Sequence, residues 1–216
     1  MKYVIYRGWI IQESDSAIFD RVTRKGKLPK DLSTYQSHHY EIAKKYIKNF
    51  GNAIDAGCNY GFISANLALD FENVYSFELN PYVYAAFLEN MKRRNLKNVI
   101  ATNAALGDDI GYVGFEKGTT TFGDHVIGEG NIKMLKLDNI AIDNVGYIKI
   151  DVEGFEPKVV KGGLNLIQEF KPYITLEDKG LNKERSAGEN VMDYLAPLGY
   201  DIIEQLDPNN ILVGVK

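Results

Sequence analysis

The sequence predicts an α/β protein: a three-layer sandwich in which helices cover both faces of a seven-stranded, mostly parallel sheet closed by an antiparallel hairpin. Three observations carry this. Apolar runs of strand length alternate with helical patterns, the connections between them are short, and an acid stands at the end of three of the runs, at Asp55, Glu78 and Asp151. Residues 51–216 are expected to form this domain, with 1–50 as an N-terminal arm and amphipathic helix packed against it.

The arm holds two short apolar pieces, Tyr3–Tyr6 and Trp9–Ile11, and then the basic run Arg24–Lys30, which suits an irregular arm or a small hairpin. From Tyr35 to Phe50 the apolar positions Tyr40, Ala43, Tyr46, Ile47 and Phe50 recur at helical spacing. His38 and His39 near its start are expected on the solvated surface, although one of them could reach a ligand over the sheet.

Asn52–Gly61 then reads as a strand, a tight turn and the entry to a helix over Phe62–Leu69. Gly57 and Gly61 allow turn conformations and close backbone approach, and a helix entry favours an anionic group. The spacing lacks the third glycine of the dinucleotide fingerprint, which counts against a nicotinamide or flavin. Asn73–Leu79 is a second strand, followed by Asn80 as an N-cap and Pro81 at the first position of a helix to about Arg94.

Val99–Leu106 is a third strand candidate. The glycine- and threonine-rich stretch 110–135 suggests short antiparallel pieces or a mobile loop. Val145–Val152 is the most buried-looking strand, followed by a helix to about Phe170, which Lys171 and Pro172 end. Tyr173–Leu176 makes a fifth strand, and Lys179–Asn190 a polar loop or lid. A helix over Val191–Leu198 and two strands, Tyr200–Glu204 and Ile211–Val215, joined by a turn at Asp207–Asn210, close the sheet.

The composition is that of an ordinary globular chain of 216 residues, and its net charge of −4 gives no field that draws nucleic acid or an acidic membrane. The lone Cys58 and three histidines make neither a disulfide nor a zinc cluster, and Cys58 is expected as a buried space-filler. No stretch approaches the ~18 apolar residues of a membrane span, and no signal-peptide core is present, so a cytoplasmic location is expected. No pattern specifies an oligomeric state.

Acids at the carboxyl ends of parallel strands converge on the ligand site of an open α/β sheet. Glu78 stands 21 residues after Gly57, at the end of the second strand, the place from which a carboxylate accepts both hydroxyls of a ribose. Lys149, on a buried strand, must pair or snorkel, with Asp55 or Glu78 as plausible partners.

Val145–Glu156, continued by Val159–Gly163, resembles the hallmark segment of the FkbM family of S-adenosylmethionine-dependent methyltransferases. The cradle Ile54–Gly61, Phe77–Pro81, Asn90 and Asn95, Asn103–Asp108 and Leu137–Asp138 resemble the family pattern in the same order. Two departures stand out: Cys58, where the family more often has alanine, and Phe155, where a small residue is usual. The resemblance covers roughly residues 50–178 and implies a class I, Rossmann-like methyltransferase fold that methylates an oxygen of a sugar or related metabolite.

It also implies roles. Gly57, Asn59, Tyr60 and Gly61 would meet the methionine part of S-adenosylmethionine, Glu78 the ribose, and Leu79 and Asn103–Leu106 with Ala105 the adenine. Asp108 would accept from the adenine amino group, while Asp55 either reaches the cofactor amino group through water or holds the turn. A hydroxyl acceptor wants a general base, for which Asp151, Glu153, His125 and Glu177 are candidates. A divalent cation held by Asp151 and Glu153 is the alternative, and Glu153 and Glu156 are equally suited to capping the next helix. The rival readings are a nicotinamide-dependent oxidoreductase and a non-catalytic nucleotide-binding module.

Overall fold

The computed structural model describes residues 2–15, 37–118, 121, 124–177 and 189–215. The expectations placed on Arg24–Lys30, on the helix start at Tyr35 and on most of the loop after residue 178 fall outside these residues.

The main sheet has seven strands in the order β11-β12-β10-β9-β3-β4-β5. They are β3 (Asn52–Ala56), β4 (Asn73–Phe77), β5 (Val99–Thr102), β9 (Val145–Ile150), β10 (Tyr173–Glu177), β11 (Tyr200–Gln205) and β12 (Asn210–Val215). β12 runs against its two neighbours and the remaining pairs are parallel, which is the expected architecture. Strand order reverses at β3, which lies between β4 and β9, so the ligand crevice belongs at the carboxyl ends of these three strands.

Alternation along the strands sorts the residues to two faces. Ile54, Ala56, Ile148, Ile150, Ile174 and Leu176 face one apolar cluster, into which α4 (Glu156–Lys161), α5 (Leu164–Phe170) and α6 (Val191–Leu195) pack. Ala53, Tyr147 and Leu212 face the other, beneath α1 (Ser37–Lys44) and α2 (Phe62–Leu67). Polar side chains sit in register on that second face: Ser76, Asp55, Lys149 and Thr175 are cross-strand neighbours along one row. The sandwich therefore carries a buried polar stripe running across the switch point.

Of the irregular arm and the small hairpin open to the N-terminal pieces, the structure shows the hairpin, β1 (Tyr3–Tyr6) with β2 (Trp9–Gln12). Trp9 and Ile11 pack with Tyr60, Phe62 and, from α3 (Pro81–Arg93), Val83 and Phe87. The buried Asn90 clamps it: Nδ2 donates to the carbonyls of Ile10 and Tyr60 at 3.0 Å each, and Oδ1 accepts from Ile10 N at 2.7 Å. No helix among the described residues is long and apolar enough to cross a membrane.

Two elements differ from expectation for tertiary reasons. The third strand breaks after Thr102, because Asn103 Nδ2 hooks onto the carbonyls of Glu78 (2.7 Å) and Leu79 (3.1 Å). Ala105–Leu106 (β6) then joins a separate sheet with β7 (Gly111–Glu116) and β8 (His125–Leu135). The helix expected through Phe170 splits at Gly162 and Gly163, where a Cβ on Gly162 would lie 1.9 Å from the Gly107 carbonyl.

Candidate active site

β3 ends at the tight turn Gly57–Gly61, where Gly57 has φ +80° and Asn59 φ +48°. Gly57 is required by contact as well as by dihedral, since a Cβ there would sit 1.9 Å from the Asp151 carbonyl oxygen. The loops after β3 and β9 are thereby pressed together. Gly61 serves packing: its Cβ would meet Met91 and Phe87 of α3.

An open cleft lies over this junction and is lined by Gly57, Asn59, Glu78, Leu79, Asp151 and Glu153 among others. Glu78 forms its acidic wall. Its carboxylate accepts from Asn59 N at 2.9 Å through Oε2 and from Asn80 N at 2.8 Å through Oε1, so each oxygen is fixed while keeping a further lone pair. Burial pushes its pKa up to about 7 against the pull of those two amides.

Beneath the cleft, Lys149 Nζ donates to the Gly57 carbonyl at 2.8 Å and pairs with Asp55 Oδ1 at 3.3 Å and Asp151 Oδ2 at 3.7 Å. Burial pulls the lysine pKa down, but the two carboxylates outweigh it and hold the pKa above its usual value. Asp55 is fully buried and takes a 2.5 Å hydrogen bond from Ser64 Oγ. Of the two partners open to Lys149, the structure selects Asp55, whose place is in the floor.

The turn after β9 is built by Glu156, whose Oε1 accepts from Val152 N (3.0 Å) and Gly154 N (3.1 Å). It folds back on its own loop, its pKa raised to about 7 by burial. Glu153 sits in that turn with φ +55° and projects beside Asp151. Asp151, Glu153 and Glu177 each bring one carboxylate oxygen within 4.8 Å of the others. Asp151 and Glu153 are half-buried and Glu177 is buried, with Asp151 also paired to Lys149.

A small side chamber adjoins the cleft at Gly57, Leu79 and Val152 and is walled by Phe77, Ala105, Leu106 and Phe155. Phe155, the family departure, forms part of its apolar wall. Other candidates lie elsewhere. Tyr60 is fully buried and turns its hydroxyl to Asp15 and Gln12 N, away from the cleft. Asp108 pairs with Lys161 at 3.0 Å and Lys158 at 3.8 Å. His125 stands on β8, 3.8 Å from Glu116, and does not line the cleft.

Two residues of the cleft, Thr121 and Asp124, stand in no motif or spacing that marks them in the sequence. Thr121 lines the cleft, receives weak contacts from Asn59 Nδ2 at 3.3–3.4 Å, and donates to the buried Asp15 at 2.7 Å. Asp124 lines it as well, gripped by Asn80 Nδ2 at 2.6 Å and Gly118 N at 2.9 Å, and burial raises its pKa. His39, expected on the surface, is 6% exposed and bonds Asp207 at 2.8 Å, while His38 is exposed. Cys58 is buried as expected, and burial pushes its thiol up, away from the reactive thiolate.

A family model described as methyltransferase FkbM domain matches residues 55–202. Among solved structures, the methyltransferase FkbM of Methylobacillus flagellatus KT aligns at 16% identity and TM-score 0.51 over 94% of this chain; the chain spans 59% of that protein's length. SMU.1697c of Streptococcus mutans, solved in complex with SAH, aligns at 13% identity and TM-score 0.53, covering 82% of this chain and 94% of that one. An rRNA methylase of Streptococcus thermophilus aligns at 12% identity and TM-score 0.52, with 85% and 97% covered. These likenesses establish the fold. No functionally curated protein matches the chain.

Proposed function

Because the chain belongs to the methyltransferase FkbM domain family, we propose that it moves a methyl group from S-adenosylmethionine to a hydroxyl oxygen of a sugar or related small metabolite. The observation that carries the donor assignment is Glu78, a buried carboxylate at the end of β4 with both oxygens fixed by backbone amides and facing the cleft.

The residues present fit this donor. Glu78 offers two acceptors to two ribose hydroxyls, and charge-assisted bonds of this kind exceed neutral ones. Leu79, Ala105 and Phe155 offer apolar surface to the adenine beside the cleft. Asn103 acts indirectly, by fixing the Glu78–Leu79 backbone. Gly57 and Asn59 offer main chain to the methionine part, with Lys149 and Asp55 holding the turn from below. When bound, the donor supplies a methyl on a positively charged sulfur, electrophilic along the carbon–sulfur axis. Alignment of the acceptor oxygen with that axis then supplies much of the acceleration.

Asp151 and Glu153 stand at the acceptor end of the cleft, where their carboxylates accept the hydrogen bond of an incoming hydroxyl and turn its lone pair toward the methyl. The net charge of −4 favours a small acceptor over a polyanion. Two measurements test the reading. SAH is expected to raise the melting temperature where NAD does not, and methyl-labelled S-adenosylmethionine to yield an alkali-stable methyl ether on a sugar or inositol. Stabilisation by NAD alone would overturn it in favour of an oxidoreductase, and label arriving on nitrogen or carbon would overturn the oxygen assignment.

A further inference from the structure

Apart from the acids of the cleft, the described residues bring one further set of metal-binding side chains together: His38 and His39 of α1 and Asp207 of the turn between β11 and β12. One ring nitrogen of each histidine and one carboxylate oxygen of Asp207 lie within 4.8 Å of one another. The two rings do not diverge as adjacent side chains on a helix ordinarily do, since their centroids stand 4.0 Å apart. Both histidines precede the segment 55–202 that the family model matches, and Asp207 follows it, so the group is no part of the family pattern.

Asp207 is held in place for a partner. Its Oδ1 accepts from Asn209 N at 2.7 Å and Asn210 N at 2.9 Å, and this grip turns Oδ2 to His39 Nε2 at 2.8 Å. Gln205 Nε2 fixes the backbone of the same turn by donating to the Asp207 carbonyl at 2.6 Å. Outer hydrogen bonds of this kind orient a carboxylate toward a metal. Among the described residues Asp207 pairs with no lysine or arginine; its ion-pair partner is His39, which carries charge only when protonated. The ring of His39 is buried, whereas His38 is exposed and free to turn.

Two imidazoles and a carboxylate suit zinc and its first-row neighbours, while magnesium and calcium take oxygen ligands. Around a tetrahedral zinc, with bonds of about 2.0–2.1 Å, ligand atoms stand about 3.3 Å apart. That spacing falls between the 2.8 Å of the His39–Asp207 pair and the 4.8 Å that bounds the group, so small side-chain rotations reach it. We propose that His38, His39 and Asp207 bind one Zn²⁺, with water as the fourth ligand, and that the ion pins α1 to the β11–β12 turn. Tyr40 and Ala43 of α1 pack in one cluster with Tyr147 and with Leu212 of β12, so the ion fastens the helix that covers this face of the sheet to the hairpin that closes it. The inference does not depend on the methyl-transfer reading.

The test titrates the chain, freed of metal by chelation, with Zn²⁺ by calorimetry and with Co²⁺ followed by its visible absorption. One ion per chain is expected, displaced by neither Mg²⁺ nor Ca²⁺ in excess. With free Zn²⁺ at about a hundredfold over Kd, the melting temperature should rise by roughly 5–11 °C. His38→Gln alters an exposed ring and leaves the fold intact. Loss of an outer-shell partner alone weakens a metal site about 10- to 100-fold, so loss of this ligand should weaken Zn²⁺ binding at least about tenfold. SAH affinity stays within about twofold in that variant, and His125→Gln, which changes the third histidine of the chain, keeps wild-type Zn²⁺ affinity. A wild-type chain that takes up no Zn²⁺, or a His38→Gln variant within about threefold of wild-type affinity, overturns the proposal. Zn²⁺ uptake lost in Glu153→Gln and kept in His38→Gln overturns it in favour of the acids of the cleft.

Discussion

Glu78→Gln is expected to bind SAH roughly 30- to 1000-fold more weakly than wild type. The substitution swaps a carboxylate that accepts from two amides and two ribose hydroxyls for an amide whose nitrogen accepts nothing. One backbone N–H and one ribose hydroxyl then lose their partner, and the remaining bonds lose their charge. Bonds to a charged group contribute about 1.5–3 kcal/mol each, so a loss of about 2–4 kcal/mol follows. Calorimetry with SAH measures it, and an affinity within threefold of wild type would remove Glu78 from the ribose.

The same variant has a signature in the ligand-free protein. Glu78 titrates near 7 when folded, against an ordinary 4.5, so between those values the folded chain holds a proton that the unfolded chain has released. Its stabilising contribution is therefore complete below about pH 4.5 and is lost as pH rises through about 7. Glu156, raised to about 7 as well, acts in the same direction. Glu78→Gln should flatten, without abolishing, the decline of melting temperature across that window.

Lys149→Met is expected to destabilise the fold by about 3–5 kcal/mol, the usual cost of leaving a buried partner charge uncompensated. Asp55 is fully buried and Lys149 is its cationic partner among the described residues, 3.3 Å away. The same lysine also ties the Gly57 carbonyl, so the loss disturbs the cradle turn as well as the charge balance. At about 2–4 °C per kcal/mol for a domain of this size, the melting temperature should fall by roughly 6–20 °C. The double variant Asp55→Asn with Lys149→Met should recover more than half of it, because the orphaned charge is gone. A single-variant loss below about 1 kcal/mol would mean that the pair is solvated in solution.

What the sequence made legible is what local pattern encodes. The Asn52–Ala56 strand, the glycine turn and the acid after the second strand are written within about 27 consecutive positions, and each has a local physical reason. Lys149 was legible as a buried charge in need of a partner, and register supplied that partner, since Asp55 and Lys149 are directly paired across β3 and β9. The illegible parts depend on contacts between distant segments. Asp15 and Thr121 meet across 106 positions with no shared periodicity. His39 looked like half of a solvated pair because the Asp207 that meets it lies 168 positions away in the sequence. Asp108 follows a suitable strand but is drawn off by Lys158 and Lys161, a competition that spacing does not reveal.

The most direct test is the structure of the protein with SAH bound. The account predicts the ribose hydroxyls on the two oxygens of Glu78, the adenine between Leu79 and Phe155, and the sulfur above the Gly57–Asp151 contact, open toward Asp151. SAH seated with its ribose away from Glu78, or its sulfur walled off from Asp151, would contradict it.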